Sequence, residues 1–204
     1  MTLKYPNAKG IEPGPNAANA RETFRLNIID DFFESHDFGN ERFDLIIMVH
    51  VLEHFYDVRR ALAKCRNLLK DNGALFVEVP NILEPFRSLD HYFLRYVHPV
   101  NYSPDTIKLM LYRHGYSVVY EYHDRFNGYT PENMKVLGVK SVNVNLSSPP
   151  VTFRYKEVIK QLQLKRIQWI IIRWLPFWLV RIMNIMMARL AKSKMGKFIK
   201  NIIS

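Results

Sequence analysis

A single cysteine, Cys65, stands among 204 residues. No internal disulfide can form, which excludes the small cross-linked secreted scaffolds and fits a reducing compartment. Long charge-free apolar runs are also missing. The most apolar stretch, 167–190, is interrupted by Arg173 and Arg181, and its longest charge-free runs are 174–180 and 182–188. A helix needs about 20 apolar residues to cross a bilayer, so no span is expected. The opening residues, MTLKYPNAKG, lack the apolar core of a signal peptide. Acids are nearly absent from the tail: residues 151–204 hold 12 Lys and Arg against one acid, Glu157. Residues 1–150 hold 17 Lys and Arg against 18 acids, so the net charge of +10 belongs to the tail. That asymmetry concerns what the tail meets, not how the body folds.

What is present is a globular composition, 48% apolar, and an alternation of short elements. Residues 8–12 (AKGIE) and 25–29 (RLNII) read as short strands, with a helix between them that begins near Pro15. Phe43 to Val49 is an apolar run of the kind buried on both faces. It ends in a polar cluster, His50, Glu53 and His54. Val58, Ala61, Leu62, Cys65, Leu68 and Leu69 recur at helical spacing, so 57–70 is expected to be a helix. Asp57 would cap its start, and Gly73 would supply the left-handed residue at its exit. Cys65 lies on this helix and reads as a packed residue rather than a nucleophile. Residues 74–79 (ALFVEV) are the next strand, and 81–103 is an irregular aromatic loop. Ser103-Pro104 opens a helix that runs to about Arg113. GYSVVYEYH and KVLGVKSVNVNL read as two further strands joined by NGYTPEN. Alternation of this kind implies an α/β fold with a mostly parallel sheet and helices on both faces. Ser147-Ser148-Pro149-Pro150 marks a boundary. The expected organisation is therefore a domain over 1–146, a linker over 147–152, and a basic amphipathic helical extension over 153–204.

The pieces GIEPGPNAANAR (10–21), IIDDF (28–32), FDLIIMVHVLEH (43–54), LLKDNGALFVEVPN (68–81) and HPVNYSPDTIKLMLYRHGYSV (98–118) occur in a telling order. The chain resembles the class I S-adenosylmethionine-dependent methyltransferases, in particular the group acting on small molecules and sugars. The resemblance implies a Rossmann-like sheet and S-adenosylmethionine as cofactor. It implies that Glu12, at a strand end, accepts the ribose hydroxyls. Asp31 would accept from the adenine amino group, with the Phe32 backbone N–H on a ring nitrogen; Asp30 is the neighbouring alternative. His50 to His54 would border the methionine side of the cofactor and the acceptor pocket.

The chemistry of the cluster admits three readings. His54 is a candidate general base, because methyl transfer to a hydroxyl or amine needs a proton removed. Glu53 and His54 alternatively form a pair that shapes the loop while positioning carries the reaction. In the third reading, His50, Glu53 and His54 share a face and hold a metal with His98 or His91. Without a defined fourth ligand that signal is weak, and the site is read without a metal.

No Gly-x-Gly triplet occurs anywhere in the chain, although the resemblance calls for a Gly-rich turn after a first strand. The expectation is a domain lacking its first strand–helix unit, truncated or degenerate. In another version, the strands that would flank the missing one pair directly. The tail, with Trp169, Trp174, Phe177 and Trp178 among basic residues, reads as a helix in the membrane interface, against a packing role on the body or a second subunit. Its basic residues are interleaved with aliphatics, so nucleic acid is not the expected partner. The functional expectation is methyl transfer to a small-molecule, sugar or lipid-linked acceptor, in the cytoplasm or at the inner face of the membrane. The rival is a non-catalytic membrane-associated or subunit-interaction protein on a dead methyltransferase scaffold.

Overall fold

The computed structural model describes residues 5, 7–85, 89, 93–94, 96–124, 132–141, 155–173 and 179. The linker over 147–152, most of the NGYTPEN connection, His91 and nearly all of the tail beyond Arg173 lie outside the described residues.

The chain order is β1 (Gly10–Ile11), α1 (Pro15–Phe24), β2 (Ile28–Ile29), β3 (Phe43–Val49), a 3₁₀ turn (Leu52–His54), α2 (Val58–Leu68), β4 (Leu69–Pro80), α3 (Pro104–Arg113), β5 (Tyr116–His123), β6 (Asn133–Lys140) and α4 (Tyr155–Arg173). Two sheets result. β1 and β2 pair in parallel, and a four-stranded sheet has the order β3-β4-β6-β5. β1 and β3 do not pair with each other, so the alternative in which the gap closes directly is not what forms. β3 instead makes one edge of the larger sheet. The sheet is also less parallel than expected: β3 joins β4 in parallel, but β6 runs antiparallel to both of its neighbours. The β5–β6 connection is short enough to reverse the chain, whereas the crossover through α2 keeps β3 and β4 parallel.

Helices α2 and α3 both pack on one face of this sheet. Ala61, Leu62 and Cys65 of α2 and Ile107 and Leu111 of α3 are buried with Met48, Leu75, Val77, Val79, Tyr116, Met134 and Val136. The strand period of two puts these sheet residues on one side. The opposite side presents Leu45, Ile47 and Val49, each nearly half exposed, beside Phe76 and Leu137. Among the described residues no helix covers that face, contrary to the expectation of helices on both.

Local signals behave as their chemistry dictates at most boundaries. The Asp57 carboxylate accepts the Arg60 N–H at 3.1 Å. Ser103 and Thr106 form a reciprocal capping box, with Pro104 in the first turn. The exit of α2 differs from expectation. Leu69 is already extended, and the left-handed residue is Asn72 (φ 63°), not Gly73. Gly73 is buried; a Cβ there would lie 2.9 Å from the Lys70 carbonyl oxygen. Close approach, not a positive φ, is why glycine stands at 73.

The described part of the tail, Tyr155–Arg173, is helical, and its apolar residues do not gather on one face as a basic amphipathic extension over 153–204 would have them. Val158, Leu162, Lys165 and Trp169, at spacings of four, three and four, are half-buried. Leu162 packs beside Ile82, Leu89 and Phe93, and Lys165 pairs with Glu84 at 2.8 Å. Ile159, Leu164, Ile167, Ile170 and Ile171 stay exposed around the rest of the helix. Among the described residues no helix is long and apolar enough to cross a membrane.

Candidate functional site

Strands β3 and β4 end side by side, with Val49 opposite Glu78. The chain then turns sharply at His50, which takes a left-handed backbone (φ 52°) unusual for a residue with a side chain. Its N–H donates to the Glu78 carbonyl at 2.9 Å, extending the ladder by one bond. The 3₁₀ turn that follows buries Leu52 and Glu53 and leaves His54 exposed.

This turn gathers a polar cluster at the carboxyl ends of the strands. His50 Nδ1 lies 3.4 Å from Glu53 Oε1, and its Nε2 lies 3.9 Å from Glu78 Oε1. Asn133, at the start of β6, donates to Glu78 Oε1 at 3.1 Å and reaches His50 Nε2 at 3.4 Å. The hydrogen bond to Glu53 raises the His50 pKa above its ordinary value; partial burial opposes this, and Glu78 adds to it. Glu53 is only 3% exposed, and its Oε2 has no hydrogen-bond partner among the described residues. Buried carboxylate oxygens are rarely left so.

His54 is oriented from across the irregular loop. Its Nδ1 lies 2.6 Å from the Val97 carbonyl oxygen. A carbonyl only accepts, so Nδ1 is the donor, and in the neutral ring Nε2 is the nitrogen with the lone pair. The His98 ring sits 4.9 Å from the His54 ring, centroid to centroid. Glu53, His54 and His98 each present one ligand atom, all within 4.8 Å of one another. Glu53 thus meets His50 on one side and lies with His54 and His98 on the other.

The second set of expected residues lies on the small sheet. Glu12 follows β1; its N–H donates to the Ile29 carbonyl at 3.0 Å and its side chain is exposed. An exposed carboxylate at a strand's carboxyl end fits a ribose diol. Asp31 and Phe32 are arranged differently from what adenine contacts require. The Phe32 N–H donates to Asp31 Oδ1 at 2.7 Å, and Asp31 Oδ2 meets His36 Nδ1 at 2.9 Å. The His36 contact, then the Phe32 N–H, hold the Asp31 carboxyl below its usual range. Asp30 instead accepts the Gly14 N–H at 3.3 Å and lies near Arg21. The exposed Glu12 carboxylate thus suits a diol, whereas the Asp31 carboxylate and the Phe32 N–H are already engaged within the loop over 31–36. The chain offers no Gly-x-Gly turn for the remainder.

Lys64 of α2 fixes the same loop. Its ammonium donates to the carbonyls of Phe33, Glu34 and His36 at 2.6, 3.2 and 2.6 Å and lies over the Phe33 and Phe38 rings. Sequence reasoning missed Lys64, Glu78 and Asn133. For Glu78 a signal existed: it is the one acid inside ALFVEV. Nothing local marks Lys64 or Asn133.

The profile of the methyltransferase domain family matches residues 1–121. A ubiquinone biosynthesis O-methyltransferase from Glaesserella parasuis is 37% identical over 67 residues. That match spans 29% of this chain and only 28% of the relative. Two solved structures share the fold at low identity. A possible histamine N-methyltransferase from Thermotoga maritima aligns over 69% of this chain and 76% of its own, at 17% identity and a TM-score of 0.55. The 1,6-didemethyltoxoflavin-N1-methyltransferase of Burkholderia thailandensis, with its substrate and S-adenosylhomocysteine bound, aligns over 65% and 60%, at 14% identity and a TM-score of 0.51. With its strand order, its polar cluster at the strand ends and a profile match over more than half its length, the chain belongs to the methyltransferase domain family.

Proposed function

We propose that this chain binds S-adenosylmethionine and transfers its methyl group to an oxygen of a small-molecule acceptor. The observation that carries the reading is the convergence of His50, Glu53, Glu78 and Asn133 where β3 and β4 end, the place where open α/β sheets hold ligands. The bound S-adenosylhomocysteine of the Burkholderia neighbour supports the cofactor, and the Glaesserella relative supports an oxygen acceptor. Glu12 binds the ribose, and His50 lines the cofactor's reacting end. His54, with Nδ1–H held on the Val97 carbonyl, keeps Nε2 ready to take the acceptor hydroxyl's proton. Glu53 holds the turn that places it. Titration of the full chain with S-adenosylmethionine in a calorimeter tests the reading. Micromolar binding, weakened at least about tenfold by Glu12→Ala, is the expected result. Absence of binding at millimolar cofactor would favour a non-catalytic scaffold.

A second reading concerns the acceptor's location. The exposed Ile159, Leu164, Ile167, Ile170 and Ile171 stand beside Lys and Arg on α4, which favours peripheral contact with an anionic lipid surface and a lipid-linked acceptor. Co-sedimentation with vesicles that depends on anionic lipid is the expected result; equal binding to neutral vesicles, or none, removes it.

A further inference from the structure

We infer that α4 is a positioning element for His54: Leu162 and Lys165 hold the loop between β4 and α3, whose far end sets the His54 ring. Only the catalytic consequence rests on the methyl-transfer reading; the geometry stands without it. Ile82, Leu89 and Phe93 of that loop are buried, yet they form a cluster of their own, apart from the core under α2 and α3. Three side chains on an irregular loop bury little area by themselves and need a cover. Leu83 and Leu162 pack against them. Three residues on, and so on the same side of α4, Lys165 donates to Glu84 Oε2 at 2.8 Å. Partly exposed ion pairs contribute little energy. Here the packing supplies the grip, and the pair fixes where along the loop the helix sits.

A chain of contacts leads from this cluster to His54. The Asn101 amide donates to the Phe93 carbonyl at 3.1 Å and to the His98 carbonyl at 3.4 Å. It thereby ties the buried cluster to the segment that faces His54. The Val97 carbonyl in that segment lies 2.6 Å from His54 Nδ1, and the His98 ring lies 4.9 Å from the His54 ring. The base of the loop is held separately. The Ile82 N–H donates to the Tyr102 carbonyl at 2.9 Å, and the Tyr102 hydroxyl donates to the Leu52 carbonyl at 3.4 Å. Loss of the α4 contact therefore loosens the middle of the loop and spares its base. Among the described residues no α4 side chain joins the main core, so the body keeps its packing.

The hydrogen bond made by one ring nitrogen decides which nitrogen of an imidazole keeps the lone pair. With Val97 in place, the neutral His54 ring presents Nε2. With the loop loosened, neither the tautomer nor the ring angle is fixed. In the proposed reaction Nε2 takes the acceptor's proton, and a displacement of about 1 Å costs on the order of 100-fold in rate. Leu162 and Lys165 are thus positioning residues, acting through the loop and not on the reacting atoms. Glu12 sits beyond β1 on the small sheet, outside this chain of contacts. His123, whose ring nitrogens lie 2.8 Å from Glu121 and 3.2 Å from Glu132, is also outside it and serves as the control.

The test is nitrogen-15 NMR of the histidine rings in the full chain, without cofactor or acceptor, with the His54 signals assigned by their loss in His54→Gln. In the unsubstituted chain His54 is expected to show one tautomer, protonated on Nδ1. Leu162→Ala and Lys165→Glu are expected to move its ring nitrogens toward tautomer-averaged positions and to leave those of His123 in place. The charge exchange Lys165→Glu with Glu84→Lys is expected to restore the His54 signals, which a general loosening of the tail would not do. Amide exchange at Phe93 and Leu94, whose N–H groups both donate to the Leu89 carbonyl at 2.9 Å, should quicken at least about tenfold in Leu162→Ala, with Ile82 unchanged. Circular dichroism confirms that each variant is folded; Lys165→Glu alters only a surface pair and reports on the contact even where Leu162→Ala perturbs folding. His54 signals that neither single substitution moves, or that move together with those of His123, overturn the inference. So does a His54 change in Lys165→Glu that the charge exchange fails to reverse. Calorimetry with S-adenosylmethionine tests the methyl-transfer reading separately, so failure of either is distinguishable from failure of the other.

Discussion

Cys65 is wholly buried on α2, and that burial pushes its thiol pKa up to about 12 from an ordinary 9.0. Two outcomes follow from this one residue. At pH 8 the native protein is expected to react with a thiol reagent orders of magnitude more slowly than the urea-unfolded chain, read by absorbance of the released thiolate. The second is a pH effect. The unfolded thiol ionises above pH 9 while the folded one keeps its proton until about 12, so the native state binds the extra proton and loses stability as pH rises through that window. At pH 10 the loss attributable to Cys65 is on the order of 1 kcal/mol. Urea unfolding of Cys65→Ala at pH 8 and pH 10 should lack that component; an unchanged difference between the two pH values would contradict it. The reading of Cys65 as a packed residue was available from its place in the helical pattern. Its depth was not, because depth depends on Leu75, Tyr116 and Ile107, which arrive from other elements.

At the scale of elements, the helix boundaries were legible and the loop contacts were not. Asp57 and Ser103 act within three residues of themselves, so local spacing reveals them. Asp57→Ala is expected to cost about 1 kcal/mol in chemical denaturation, from the lost cap. The exit of α2 was misread for an equally local reason. Asn and Gly both tolerate left-handed backbone, and only the closeness of Lys70 and Leu69 to position 73 separates them. Lys64 shows the opposite case. On the helix surface it resembles any solvated lysine, yet it gathers three carbonyls from a loop about 30 residues away. Replacement by Met is expected to speed amide exchange over 31–38 at least about tenfold without unfolding α2, measured by hydrogen–deuterium exchange. Protection left unchanged there would mean that the loop is held by Asp31 and His36 alone.

Across the whole molecule, the two faces of the main sheet differ. Leu75 belongs to the covered face, where truncation leaves a cavity; Leu75→Ala should cost about 2–5 kcal/mol. Ile47 belongs to the open face and is 49% exposed. Ile47→Lys is expected to change stability by no more than about 0.5 kcal/mol and to reduce self-association at high concentration, as read by sedimentation velocity. Equal costs for the two substitutions would show that the open face is packed in solution. The sequence pattern of β3 could not reveal this asymmetry. FDLIIMV is apolar on both sides, and an apolar run predicts burial on both faces whether or not a partner is present.

The sequence by itself determined the order and kind of the elements, the helix starts at Asp57 and Ser103, the buried setting of α2, and the placing of His50, Glu53 and His54 directly after β3. These rest on spacings of a few residues, which the periods of helix and strand convert directly into shared faces. Tertiary structure alone decided the antiparallel placement of β6, the separation of the β1–β2 pair from the main sheet, and the placing of α2 and α3 on one face. It alone closed Asp31 on His36, brought Val97 and His98 onto His54, and buried Glu53 Oε2 with no hydrogen-bond partner among the described residues. Each of those depends on groups 5 to more than 40 residues apart meeting in space, with an energy set by the burial and hydrogen bonding found there, and no local spacing encodes that meeting.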